Sequence, residues 1–525
     1  MEENKVQKKT FVLGAAILGI AGLITKLLGA VFRIPLTNII GADGMGYYQT
    51  AYPVYVMLLT ISTSGLPTAI SRMVAERRAA DQHYEAHRVF TLAFKIMLII
   101  GAVTGLGLFI FAPQICAFEM EPDAVYAMRA TAPALILCPM MSCLRGFFQG
   151  RKTMAPTAVS QVIEQFFRVG LGLFLAGLLF KIDAPHAAAG ASFGASAGAL
   201  FGLLAVVFVY IKQKPTIEAE FIDRTPIKKN GELFKEILII AIPITLGAGI
   251  MPILNWIDTL VVKRRLLAIG FSSEIARSMF GELTGMASPI INFPIVFSQA
   301  VCMSLVPVIT DAFKREDLDF VKENAALSIR YAALIILPCA GGMIALARPI
   351  MTLLYPRQLE SAVSAAGCLQ IYAIGMIFLA LIQAMTGVLQ GIGKQIIPVR
   401  NLCIGAVVKL IATYVLTGIP GINVKGAAVG TALAYIVAAL LNFLAVRKYT
   451  NFTLDLKLGV IKPFASAAIM AAFAYLAYWA AKHVLGNTLS TLVAIACGVV
   501  VYVVLVLLTG AIRLDELKKM FKRGK

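Results

Sequence analysis

This sequence is poor in charge. Only 14% of its 525 residues are Asp, Glu, Lys or Arg, while 59% are apolar and the mean hydropathy is +0.83. An ordinary soluble domain is about a quarter charged, and domains of ~150 residues cut from this chain would lack the polar surface to stay in water. A soluble enzyme is therefore excluded. The charge that is present leans one way, with 47 Lys and Arg against 28 Asp and Glu, net +19. No basic domain with interleaved aromatics accompanies that excess, which excludes a nucleic-acid platform. In a membrane chain the same excess marks cytoplasmic loops.

Catalytic motifs are missing as well. The chain has no Cys-x-x-Cys pair, no Walker A run, no Gly-x-Ser-x-Gly elbow and no Asp-rich motif. Its eight cysteines lie in or beside apolar stretches and read as small buried hydrophobes. His83 and His87 flank Glu85 as H-Y-E-A-H, not as the H-E-x-x-H of a zinc helix, in a segment that reads as a charged loop. The expectation is a protein that is not an enzyme and holds no metal or cofactor. The leading MEENKVQKKT runs into a long apolar segment with no small-residue cleavage site, which reads as an uncleaved first membrane helix. Asn451-Phe-Thr453 fits the glycosylation pattern but falls in a loop assigned to the cytoplasm.

About 20 apolar residues span the hydrocarbon core. Candidate spans lie near 10–38, 47–71, 89–113, 124–147, 154–180, 187–211, 234–262, 278–310, 326–347, 359–391, 396–418, 425–446, 458–481 and 488–512. The expected fold is thus an all-α polytopic membrane protein with about 14 transmembrane helices. Pro35, Pro53, Pro67, Pro289, Pro294 and Pro307 fall inside spans and are expected to kink them, either for packing or to line a wet cavity. With the first terminus inside, 31 of the 47 basic residues fall at cytoplasmic ends, nine on outer loops and seven within spans. That bias places both termini in the cytoplasm. Lys263, Arg264 and Arg265 form the one basic cluster on the outer side.

The spans repeat. Gly146, Gln149 and Gly150 recur as Gly387, Gln390 and Gly391 at an offset of 241, which also carries Arg168 onto Lys409. Ser64-Gly-Leu-Pro67 recurs as Ser304-Leu-Val-Pro307, and Gly190 and Gly194 as Gly426 and Gly430. A near-constant offset across three helices implies two six-helix copies, residues 1–222 and 223–450, with 451–525 adding two helices and a tail. An even number of helices gives both copies the same orientation in the membrane, the plan of two rocking bundles. Gly190, Gly194, Gly198 and Gly202 make a stripe for close packing.

The run Leu144-Arg-Gly-Phe-Phe-Gln-Gly-Arg-Lys-Thr-Met-Ala-Pro-Thr-Ala-Val-Ser-Gln-Val-Ile-Glu-Gln165, with Gly281-Glu-Leu-Thr-Gly-Met-Ala-Ser-Pro289 and Asp258-Thr-Leu-Val-Val-Lys-Arg-Arg265, carries a resemblance that covers nearly the whole chain. It resembles the multidrug/oligosaccharidyl-lipid/polysaccharide exporter superfamily, in particular the stage V sporulation protein B and YtgP-like branch, related to the MurJ-type lipid II flippases. The resemblance implies two lobes of MATE-like fold and two C-terminal helices bordering a lipid-tail groove. It implies movement of an undecaprenyl-pyrophosphate-linked saccharide, lipid II first among them, from inner to outer leaflet of the bacterial cell membrane, beside the cell-wall synthesis machinery. The family's Ser-Arg-x-x-Gly run reads here as Thr25-Lys-Leu-Leu-Gly29, so Lys26 takes the cavity cation's place, and the next arginine lies close to Arg33 with a one-residue slip. The helix-2 arginine has no counterpart in Val56-Met-Leu-Leu59, and the helix-8 Arg and Glu fall on Pro289 and Asn292.

Within the spans lie the cations Lys26, Arg33, Lys95, Arg129, Arg145, Arg168 and Lys409 and the acids Glu164 and Asp258. A buried ion costs several kcal/mol unless paired or wet, and seven cations outnumber two acids. The surplus suits an anionic substrate such as pyrophosphate, which Arg binds bidentately. The candidate substrate-binding residues are Lys26, Arg33, Arg168, Lys409, Glu164 and Asp258, with Lys263, Arg264 and Arg265 as outer-mouth guides. Lys95, Arg129 and Arg145 read as snorkelling anchors. Glu164 and Arg168, four apart, read equally as a structural pair. Lys26 and Arg33, seven apart, share one helix face. Asp258 either pairs with one of these cations or holds a coupling cation. Energy would come from the membrane potential or a Na+ or H+ gradient. Two other readings stand beside the lipid II flippase: export of another lipid-linked polysaccharide precursor, and cation-coupled multidrug export, for which an acid-rich cavity is expected.

Overall fold

In lipid a backbone must satisfy itself, and apolar runs of this length do so by closing each N–H onto the carbonyl four residues back. The computed structural model describes residues 2–222, 225–453 and 455–511, with side chains for all of these except 2–16, 26, 300–304 and 307. Among the described residues the structure is almost wholly helical. Among the described residues, eleven helical stretches are long and apolar enough to cross a membrane.

The chain divides into two compact units, Met1–Leu260 and Val261–Lys525. The first contains α1 (Glu2–Thr63), α2 (Gly65–Ala79), α3 (His83–Phe118), α4 (Val125–Gly150), α5 (Ala155–Leu179), α6 (Ala184–Ala219) and most of α7 (Asn230–Ala268). Its core includes Tyr55, Met97, Met128, Phe147 and Phe148, all fully buried, and takes in Leu233, Ile237 and Ala241 of α7. The second contains α8 (Ser273–Gly281), α9 (Ser288–Lys314), α10 (Leu318–Ala345), α11 (Ala347–Leu354), α12 (Leu359–Gly391), α13 (Ile396–Thr417), α14 (Lys425–Thr450) and α15 (Lys462–Leu508). The unit boundary falls inside α7, whereas the division at 222/223 follows the repeat in the sequence.

Two helices reverse at a glycine. In α1 the backbone leaves the helical region at Gly41, with φ 73° and ψ 177°, a conformation essentially confined to glycine. Pro35, expected to break this span, lies inside a continuing helix. The reversal is measurable: nineteen residues of straight helix would part Arg33 and Tyr52 by about 28 Å. The Arg33 guanidinium instead lies 5.6 Å from the Tyr52 ring centre. Gly486 of α15, with φ 68° and ψ 178°, does the same, so that a Cβ added to Gly498 would lie 3.1 Å from Met470 Sδ. Each reversal turns one apolar stretch into two limbs.

Inside each unit the repeat has a structural counterpart. In α6, a Cβ on Gly194 would meet the Arg168 carbonyl at 2.5 Å; in α14, one on Gly430 would meet the Lys409 carbonyl at 3.1 Å. In α4, a Cβ on Gly150 would meet Ser71 O at 2.7 Å, and in α12 one on Gly391 would meet Ile309 Cγ2 at the same distance. Helices in lipid have no hydrophobic drive to associate and pack through such small residues. Two local expectations are corrected. The H-Y-E-A-H segment opens α3 and is not a loop, with Glu85 held by Arg88 at 2.8 Å. Helix α7 runs beyond the expected end at 262, so Lys263, Arg264 and Arg265 are helical.

Candidate substrate-binding site

The reversal at Gly41 builds the site. It returns the second limb of α1 past the first and places Tyr48, Tyr52 and Tyr55, spaced by one and two turns, on one face. Tyr48 and Tyr52 stack with centroids 5.5 Å apart, and Tyr55 follows at 6.1 Å from Tyr52. From α5 the Arg168 guanidinium lies 5.7 Å from the Tyr52 ring centre and donates to its hydroxyl at 3.4 Å. Tyr52 therefore carries two guanidiniums, Arg33 and Arg168, each within cation–π range. A guanidinium held against a ring keeps edge N–H groups for another acceptor.

Glu164 is met from α4. Arg145 Nη2 lies 2.9 Å from its carboxylate and Arg145 Nε donates to Ser160 at 2.7 Å, with the pair 12% and 22% exposed. Arg145, read as a snorkelling anchor, is thus the structural partner of Glu164, in place of the Glu164–Arg168 pair. Three guanidiniums and one carboxylate share this part of unit 1, an arrangement suited to an anion. Sequence reasoning missed the tyrosines because they were read as part of an apolar span. The run Tyr47-Tyr48-Gln49-Thr50-Ala51-Tyr52-Pro53-Val54-Tyr55 is the signal that could have found them.

The other candidates sit elsewhere. Lys26 lies outside the described side chains. Asp258 is half-buried on α7 in unit 1, two residues after Trp256, whose indole N–H donates to Glu119. Lys409 is half-buried on α13 of unit 2, at the place Arg168 has on α5. Lys263 is 3% exposed with its ammonium 5.4 Å from the Phe280 ring centre. Arg265 stacks on Tyr414 at 4.4 Å and donates to its carbonyl at 3.0 Å, while Arg264 is exposed.

A second charged cluster ties helix ends together in unit 1. Arg78 of α2 and Arg151 after α4 both bind Glu220 after α6, Arg151 through two hydrogen bonds of 2.8 and 3.0 Å, and His83 Nδ1 lies 3.5 Å away. Burial works to raise the Glu220 carboxyl, but the two arginines outweigh it and hold it at about 2. Arg77 and Lys228 share Glu236 beside it, lining a cavity of about 430 Å³ with Glu76 and Glu85.

The sequence profile of the polysaccharide biosynthesis protein family matches residues 11–313, more than half of the chain. The chain belongs to this family. The MatE profile matches residues 283–415, consistent with the multidrug/oligosaccharidyl-lipid/polysaccharide exporter superfamily. Stage V sporulation protein B of Bacillus subtilis is 28% identical over 98% of both chains. Lipid II flippase MurJ of the same organism is 27% identical, over 84% of this chain and 83% of that one. Among solved structures, lipid II flippase MurJ in an inward closed conformation superposes with a TM-score of 0.67 at 15% identity, covering 93% of this chain and 98% of that one. The fold is that of this exporter superfamily, and the protein is a multi-pass membrane flippase or exporter.

Proposed function

We propose that this family member moves an undecaprenyl-pyrophosphate-linked saccharide, most directly lipid II, from the inner to the outer leaflet of the bacterial plasma membrane by alternating access, with both termini cytoplasmic. The observation that carries the reading is the pair Arg33 of α1 and Arg168 of α5, both held against one tyrosine, Tyr52. Pyrophosphate offers several acceptor oxygens, and an arginine fork binds two at once. The direct ion pair of Glu164 is with Arg145. Charge recognition of the headgroup needs no chemistry on the substrate, so the protein acts without catalysis, and the membrane potential or an ion gradient drives the cycle. A cationic drug would meet repulsion from the same groups, which disfavours multidrug export.

The test is binding of an undecaprenyl-pyrophosphate-sugar to the purified protein. Affinity should fall with salt and with Lys26→Ala, Arg33→Ala or Arg168→Ala. Tighter binding of a cationic dye would replace this reading with drug export. Cysteines placed at Lys181 and Lys212, one on each side in this topology, should label from opposite faces of the membrane.

A further inference from the structure

Glu282 has no part in the site above. It opens a π-helical turn, Glu282–Ala287, between α8 and α9, and is 6% exposed. Such wide turns recur at functional positions. Leu283, Gly285, Met286 and Ala287 are buried with it, and the Tyr355 hydroxyl donates to the Met286 carbonyl at 3.1 Å. The carboxyl accepts a hydrogen bond of 2.7 Å from the Ser364 hydroxyl on α12, and Ser361, three residues earlier on the same face, adds a second hydroxyl.

Among the described residues no Lys, Arg or His forms an ion pair with Glu282. The titratable and charged groups on the elements around it are few. On α12 they are Glu360, the buried Cys368 and the buried Tyr372; on α14, Lys425, whose stem lies against Gly367; on α8, Glu274 and Arg277, eight and five residues before it; and on α7 the buried Lys263, whose ammonium lies over the Phe280 ring two residues before Glu282. The first half of α9, residues 288–299, carries none.

A carboxylate taken out of water without a cation costs several kcal/mol, and the neutral acid far less. An arginine or lysine partner would fix the charged form. A serine hydroxyl does not, because it donates to a carboxylate and accepts from a carboxylic acid. Ser364 is itself exposed while Glu282 is not, so this hydroxyl links the buried acid to the outside. We propose that Glu282 is a proton-binding site in unit 2, protonated while the π-helical turn is packed and deprotonated when the turn opens. On opening, the acid O–H bond breaks, the proton passes to water beside Ser364, and the electron pair stays on the carboxylate. The site does not depend on which lipid is carried.

The experiment uses the full-length protein in nanodiscs, with infrared difference spectra across a pH step and amide exchange of residues 282–287. The wild type should show a protonated-carboxyl band that disappears as pH rises. One proton released per opening adds about tenfold to exchange per pH unit. Glu282→Gln keeps an acceptor for Ser364 and should lose both the band and the extra pH dependence. Ser364→Ala should shift the band without removing it, which keeps the test open if the glutamine variant fails to fold. A band and exchange profile unchanged in Glu282→Gln, or an unshifted band in Ser364→Ala, overturns the proposal.

Discussion

Replacing Gly41 by alanine probes the turn on which the site depends. At φ 73° and ψ 177° the backbone lies where only glycine is at ease, so a Cβ there strains the fold whatever space surrounds it. The cost is about 1–3 kcal/mol in the folded state. At 1.4 kcal/mol per tenfold, that shifts the balance between the folded hairpin and opened forms by roughly 5- to 150-fold. Relief requires the two limbs of α1 to move apart, and straightening would carry Arg33 toward the ~28 Å that nineteen helical residues impose. Gly170→Ala is the control, since that glycine is helical with nothing within 4 Å of the added Cβ. It should be neutral or stabilise by about 0.5–1 kcal/mol. Melting of the purified proteins, paired with substrate binding, gives the readout: Gly41→Ala should melt below the wild type and bind more weakly, and Gly170→Ala should do neither. A Gly41→Ala protein that melts and binds like the wild type would refute the argument that this turn builds the site.

Other outcomes follow from the same contacts. Removing Arg145 leaves Glu164 largely buried and unmatched, so Arg145→Ala should cost about 1–3 kcal/mol, and Glu164→Gln in the same chain should recover part of it in a melting assay. Glu220 is held at about 2, below the ~4.3 of a free glutamate, so its contribution is complete above that ordinary value and is lost as pH falls toward 2. Glu220→Gln should therefore melt lower than the wild type near neutral pH, with the gap closing under acid. Gly194→Ala should loosen α5 from α6 by about 1–3 kcal/mol, because its Cβ meets backbone at 2.5 Å. Gly430→Ala, whose nearest obstacle is the movable Thr413 hydroxyl, should cost less by the same assay.

Much of the architecture was legible because membrane helices are local statements. Apolar length marked the spans, and a fixed offset between glycines marked the repeat, whose glycines pack at corresponding helix crossings in each unit. Both glycine turns fall where the apolar runs break: Gly41 lies in the gap 39–46 between the first two expected spans, and Gly486 in the gap 482–487 between the last two. Pro35 was the misleading signal, since a proline whose freed carbonyl is satisfied by its neighbours can continue a helix. Arg145 was read as a helix-end anchor because its partner lies nineteen residues away on another helix, a contact no spacing rule supplies. The tyrosine face went unread for a similar reason, since its meaning depends on which cations the fold brings to it. Lys263 looked like a loop charge because its burial is decided by Phe280, beyond the end of its own helix.

The central claim is that Arg33 and Arg168 grip the pyrophosphate. On this claim each would make at least one charge-assisted contact, worth about 1.5–3 kcal/mol, so its loss should slow transport by roughly 10- to 150-fold. The direct measurement is leaflet-resolved flipping of a lipid-linked pyrophosphate in proteoliposomes holding matched amounts of wild type, Arg33→Ala, Arg33→Lys and Arg168→Ala. Both alanine variants should fall by that factor at unchanged abundance and melting temperature, with Arg33→Lys between them and the wild type. Normal flipping by Arg33→Ala and Arg168→Ala would contradict the account.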